Sequence, residues 1–152
     1  MEKREFKETI TECLLEYGFI KKKKYFYLEL PEVSLIAFLN SRYGDFVLCY
    51  NFSLNKIHDS SERKQGNPFD GYDSILIDTV DAKGDKFLSY KNLKRDELKQ
   101  DIIERLERYF NPFFKDVENF LVDELDQRRI RNQGDNIILL KKIKEYLKDR
   151  LV

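Results

Sequence analysis

Histidine and cysteine carry much of the acid–base, nucleophilic and zinc chemistry of proteins, and this sequence has almost none of either: one His and two Cys in 152 residues. His58 stands at the start of a polar stretch beside Asp59, Ser60 and Ser61. Neighbours in sequence do not converge as the members of a hydrolytic triad do, so His58 is read as a solvated loop residue. Cys13 and Cys49 fall inside apolar patterns, where a free thiol behaves as a small hydrophobe, and both are read as reduced core residues. Asp70, Asp73, Asp78, Asp81 and Asp85 lack the alternating spacing that wraps a calcium ion. Gly66 and Gly71 neither follow a strand nor open a helix, as a phosphate-cradling loop requires. No cofactor and no metal are expected, and the chain is not expected to be an enzyme. The remaining catalytic alternative is a carboxylate-based enzyme built on Asp70, Asp73 and Asp78.

Long apolar runs are also missing. Nothing approaches the roughly 18 apolar residues of a membrane span, and the opening Met-Glu-Lys-Arg-Glu-Phe lacks the apolar stretch of a signal peptide. A cytoplasmic location with no membrane partner is therefore expected. Net charge is absent too, with 28 basic against 28 acidic side chains. The balance holds locally, since residues 1–50 carry 8 of each sign. A protein that binds nucleic acid by neutralising phosphates normally shows an uncompensated basic segment, which places nucleic acid behind protein as the expected partner class.

What the chain does hold is aromatic surface: 12 Phe and 9 Tyr beside no Trp. With 41% hydrophobic residues, 152 residues suffice for one domain with its own core. Phe6, Ile10, Cys13, Leu14 and Tyr17 recur at helical spacing, predicting a helix over residues 3–17 that Gly18 stops. From residue 19 the period changes. Residues 25–30 and 33–43 read as strands around a Pro31-Glu32 turn. Arg42-Tyr43-Gly44-Asp45 reads as the next turn. Phe46, Leu48, Tyr50, Phe52 and Leu54 then alternate with more polar neighbours as a third strand. Residues 58–71 are a long loop, 74–80 a further strand, and 86–90 its partner across a turn at 81–85. Leu98, Ile102, Leu106, Tyr109 and Phe110 mark a helix, Phe113 to Leu125 a second after Asn111-Pro112, and Leu139 to Leu151 a third. The predicted architecture is a single α+β domain over 1–152: an N-terminal helix, an antiparallel sheet of three to five strands, and three C-terminal helices packed on one face.

Two surface features invite functional readings. Lys21-Lys22-Lys23-Lys24 followed by Tyr25-Phe26-Tyr27 resembles a single-stranded nucleic-acid platform, although lysines at a strand entrance also discourage edge pairing, and that plainer reading is preferred. Arg128, Arg129 and Arg131 near a helix end are read as dipole partners. The preferred contact surface is the loop, where Phe69 and Tyr72 stand among Asp70 and Asp73 as aromatic anchors ringed by polar groups.

The segment from Cys13 through Gly18-Phe19 and Lys21-Lys22-Lys23-Lys24 to Tyr27 resembles the opening of a bacterial family classed as domain of unknown function four-three-zero-four. The likeness extends through the strand at 46–54 and the Asn-Pro-Phe at 111–113, over about residues 6–127. Ile20 interrupts the family-like Gly-Phe-Lys-Lys. The resemblance implies no enzymatic activity and carries no site residues across. Similar small proteins are encoded among polymorphic toxin loci, which implies an immunity protein whose partner is a cognate toxin.

Overall fold

The apolar spacing of the first seventeen residues becomes a helix, α1 (Lys3–Tyr17), whose buried stripe is Phe6, Ile10, Cys13 and Leu14, in a computed structural model that describes residues 1–55, 76–126 and 144–148. Gly18 stops it as expected. At φ 124° its N–H reaches the carbonyls of Leu14 and Leu15, a conformation that L side chains avoid and glycine adopts freely.

An antiparallel meander follows: β1 (Ile20–Lys22), β2 (Tyr25–Glu29), β3 (Val33–Arg42) and β4 (Asp45–Leu54). The lysine run is not a strand entrance but a hairpin of its own. Lys21 and Lys22 sit in edge strand β1, paired opposite Phe26 and Tyr25, and Lys23 turns the chain at φ 59°. Three exposed residues carry no apolar alternation, so β1 leaves no periodic trace. Strand β4 is central, and every residue from Phe46 to Leu54 is buried. Its second face, polar in sequence at Asn51 and Ser53, is interior as well.

The two short strands expected after residues 58–71 pair differently from the expectation. Residues β5 (Ile77–Asp78) and β6 (Phe87–Leu88) do not form a ladder with each other; both add to β4, with Phe46 opposite Leu88 and Val47 opposite Phe87. The reason lies in α2 (Arg95–Tyr109). Arg105, Arg108 and Tyr109 share one side of this helix by their spacing of three and four, and together they grip the chain between β5 and β6. The Arg105 guanidinium, 0% exposed, donates to the carbonyls of Thr79 (2.7 Å), Asp85 (3.1 Å) and Lys86 (3.2 Å) and to the Asp101 carboxylate (2.8 Å). Arg108 donates to Val80 O at 2.6 Å, and the Tyr109 hydroxyl accepts the Val80 N–H at 3.1 Å.

Beyond α2 the expected helix over 113–125 is two: α3 (Asn111–Lys115) and α4 (Val117–Asp126). Asp116 makes the break, because its carboxylate accepts the Asn119 N–H at 3.1 Å and so caps a new helix start. Of the last expected helix, residues 144–148 are helical. No helix among the described residues is long and apolar enough to cross a membrane.

The described residues fall into two compact units. One comprises Met1–Leu28, Ile36–Tyr50 and Asp78–Asn111, and the other takes the rest. The first unit is built around two ring clusters: Phe6 with Phe46 and Tyr90 at centroid separations of 5.3 and 4.9 Å, and Phe110 with Phe19 and Tyr50 at 5.3 and 4.9 Å. In the second, Phe113 packs on Phe52 and Phe120 at 5.9 and 4.3 Å. There Asn55 also latches the Pro31-Glu32 turn, donating from Nδ2 to Leu30 O at 2.7 Å and from its backbone N–H to Glu32 O at 2.9 Å.

Replacing Arg105 by Lys keeps the charge but removes the planar fork that serves several acceptors at once. The buried Thr79 carbonyl and the partly buried acceptors on Asp85, Lys86 and Asp101 cannot all be served by one amine, so Arg105→Lys is expected to cost about 3 kcal/mol, read as a lowered urea midpoint with an unchanged slope.

Candidate functional site

The preferred contact residues Phe69, Asp70, Tyr72 and Asp73 lie outside the described residues, as do His58 and the arginines at 128, 129 and 131. Within the first unit, the described surface offers a different feature at the tip of the β3–β4 hairpin.

Arg42 ends β3 and Asp45 begins β4, so the loop is the two residues Tyr43 and Gly44. Both have positive φ, 53° and 81°, as a type I′ turn requires to match the twist of its strands. Asn, Asp or Gly is usual in the first of these positions, and a bulky side chain there costs about 1 kcal/mol or more. Tyr43 nevertheless occupies it, and the residue is 98% exposed. A large apolar body is held entirely in water on a backbone that disfavours it.

The base of the tip is clamped. Arg42 meets Asp78 of β5 in a two-pronged pair, Nη1 to Oδ2 at 2.7 Å and Nη2 to Oδ1 at 2.9 Å. The Cys49 thiol donates to Asp78 Oδ1 at 3.1 Å, and the Lys86 amine stands 3.9 Å from Oδ2. Burial would raise the Asp78 carboxyl, but the hydrogen bonds from Arg42 and Cys49 and the charges of Arg42 and Lys86 outweigh it and hold it below its ordinary value. Burial, then the neighbouring Asp78 carboxylate, pushes the Cys49 thiol far up, and burial also raises Cys13. Neither sulfur is a thiolate at neutral pH, so neither is a ready nucleophile.

Asp78, named above for a carboxylate-based enzyme, is thus engaged in holding a hairpin. Asp81 and Asp85 shape the turn before β6: Asp81 Oδ1 accepts the N–H groups of Lys83 and Asp85, each at 2.9 Å. Among the described residues no group of three or more His, Cys, Asp or Glu side chains could hold a metal ion. The aromatic face beside the lysine run is covered from within, since Lys22 lies over the Tyr27 ring at 5.7 Å and Lys24 over Tyr25 at 5.3 Å, each a cation–π contact. A base stacking on those rings would have to displace them.

The family described as Domain of unknown function (DUF4304) matches residues 10–116. The chain belongs to that family. The matched span of this DUF4304 chain contains the hairpin tip, the Arg42–Asp78 clamp and Arg105, and ends at the α4 cap, Asp116. No curated protein and no solved structure matches the chain.

Tyr43 was legible as a turn residue but not as a site. The available signal was the wrong residue type in the slot: Tyr-Gly where Asn-Gly or Asp-Gly would suit the turn. The Arg42–Asp78 pair left no signal, because its members lie 36 positions apart.

The clamp makes a pH prediction with a definite sign. Asp78 has a folded-state pKa below its ordinary 3.8, so its contribution is complete above that value and is lost as pH falls through the lower folded value. Asp78→Asn is expected to cost about 2 kcal/mol at pH 7. Urea titrations of both proteins from pH 7 to pH 2 should show the gap closing only below about pH 4.

Proposed function

We propose that this chain is a protein-binding module, and that it serves as a bacterial immunity protein, binding a cognate toxin in the cytoplasm and neutralising it by covering its surface. The observation that carries the protein-binding reading is Tyr43: an aromatic residue 98% exposed on a strained turn, fixed from below by the Arg42–Asp78 pair. Tyr is among the residue types that dominate binding energy at protein interfaces, and a pre-ordered anchor loses little entropy when it docks. Local strain held in place by surrounding contacts is a recurrent property of recognition sites. The toxin partner comes from the family resemblance that the Cys13 to Tyr27 segment carries, since similar small proteins are encoded among polymorphic toxin loci. Phe69 and Tyr72, with Asp70 and Asp73, are a second anchor group in this proposal.

Two variants separate the tip from Phe69 and Tyr72. Tyr43→Asn suits the positive φ and is expected to stabilise the free protein by about 0.5–1 kcal/mol, while weakening the complex with a toxin domain encoded beside it by about 2 kcal/mol or more. Titration calorimetry and urea unfolding on the same sample give both numbers. Unchanged affinity in Tyr43→Asn, with loss in Phe69→Ala/Tyr72→Ala, would move the contact to Phe69 and Tyr72. Absence of any complex with the neighbouring toxin domains would end the immunity reading.

A further inference from the structure

Residues 1–50 balance in sequence, with 8 charges of each sign, but not in space. A shallow groove of about 710 Å³ runs beside α1 and edge strand β1, lined by Lys3, Arg4, Lys7, Glu8, Glu12 and Lys21, a volume in the range of ligand clefts, about 300–1,000 Å³. Both carboxylates are already engaged: Glu8 by Arg4 at 3.0 Å, and Glu12 by Arg95 at 2.6 Å and Lys99 at 3.7 Å. Lys3, Lys7 and Lys21 remain, and among the described residues no carboxylate lies within ion-pair distance of any of the three amines. Lys3 and Lys7, one helical turn apart, converge on a single ring, at 5.7 and 5.4 Å from the Phe46 centroid. Like charges at this spacing repel, and only the ring quadrupole offsets that. Lys21 lies over Phe26 at 5.8 Å.

We infer that this groove is a binding site for a phosphate chain, whether a free polyphosphate or the phosphodiester backbone of a single strand. Three surplus amines on one groove supply the charge, and an anion between Lys3 and Lys7 converts their repulsion into shared attraction. The rings beneath them, Phe46 and Phe26, are 7% and 4% exposed, so no aromatic face is open for stacking and the ligand is held by charge. Arg4 is paired with Glu8 at 3.0 Å, so the charge open to a ligand is carried by lysines, which bind phosphate as point charges.

The test is calorimetric titration of the purified chain at low salt with three probes: tripolyphosphate, a ten-residue thymidine oligonucleotide, and poly-glutamate of matched charge. A groove variant (Lys3→Gln, Lys7→Gln, Lys21→Gln) is compared with a control of equal charge change outside it (Lys22→Gln, Lys23→Gln, Lys24→Gln). Circular dichroism confirms that both fold. Tripolyphosphate is expected to bind the native chain and the control alike and the groove variant about tenfold or more weakly. Binding of the oligonucleotide as well, with a logarithmic salt slope of about −2 for three amines, identifies a strand as the source, and tripolyphosphate alone identifies a free chain. The inference is overturned if neither phosphate probe binds, if both variants lose affinity equally, or if poly-glutamate binds as tightly as the phosphates. Tyr43→Asn should leave phosphate binding intact, so this site and the protein contact fail or stand separately.

Discussion

The fold of the first unit depends on one buried guanidinium. Withdrawing a charge from water costs several kcal/mol unless its donors are met, and Arg105 meets this demand with the Asp101 carboxylate and the carbonyls of Thr79, Asp85 and Lys86. Those carbonyls belong to the bend between β5 and β6, which has too few residues in each strand to hold a ladder of its own. The bend is therefore shaped from α2, and both short strands are laid on β4. Thr79 completes the connection, since its N–H and hydroxyl each donate to Leu48 O, at 2.9 and 2.8 Å, while the hydroxyl accepts from Arg105 at 3.2 Å. Asp78 precedes Thr79 directly. Its position under Arg42, and with it the footing of the Tyr43 tip, follows from the placement of that bend.

Elements built on periodicity could be read from the sequence. Helix α1, strands β2 to β4 and helix α2 all announce themselves through spacing of three to four or two, because burying one face dictates those periods. What could not be read depends on single polar contacts between distant positions. The Arg105 side chain lies on the apolar stripe of α2 with Leu98, Ile102 and Leu106, where a charged residue in sequence looks like a register error rather than a keystone. The split of α3 from α4 turns on the one Asp116 cap. The lysine hairpin has no apolar face to display, and its pairing is visible only beside Phe26 and Tyr25.

Charge shows the same limit. Counted along the chain, residues 1–50 are balanced, which argued against an anion site. Folding redistributes that balance across α1: Glu8 and Glu12 take up arginines and a lysine, and Lys3, Lys7 and Lys21 are left facing one groove. A segmental count averages over helix faces and so cannot register a surplus that exists only after side chains have chosen partners. The aromatic excess, by contrast, goes mainly to the core. Most described rings are core, and Tyr43 at 98% exposure stands apart from them.

The hairpin tip is rigid because the Arg105-shaped bend and the Arg42–Asp78 pair fix its base. Native-state amide hydrogen exchange tests this directly, residue by residue. The Thr79 N–H, bonded to Leu48 O, and the strand amides at the base of the tip, Asp45 to Val47, should exchange only through openings close in free energy to global unfolding. Fast exchange at Asp45 to Val47 through a low-energy local opening, with Thr79 still protected, would show a mobile tip and contradict a pre-ordered Tyr43 anchor.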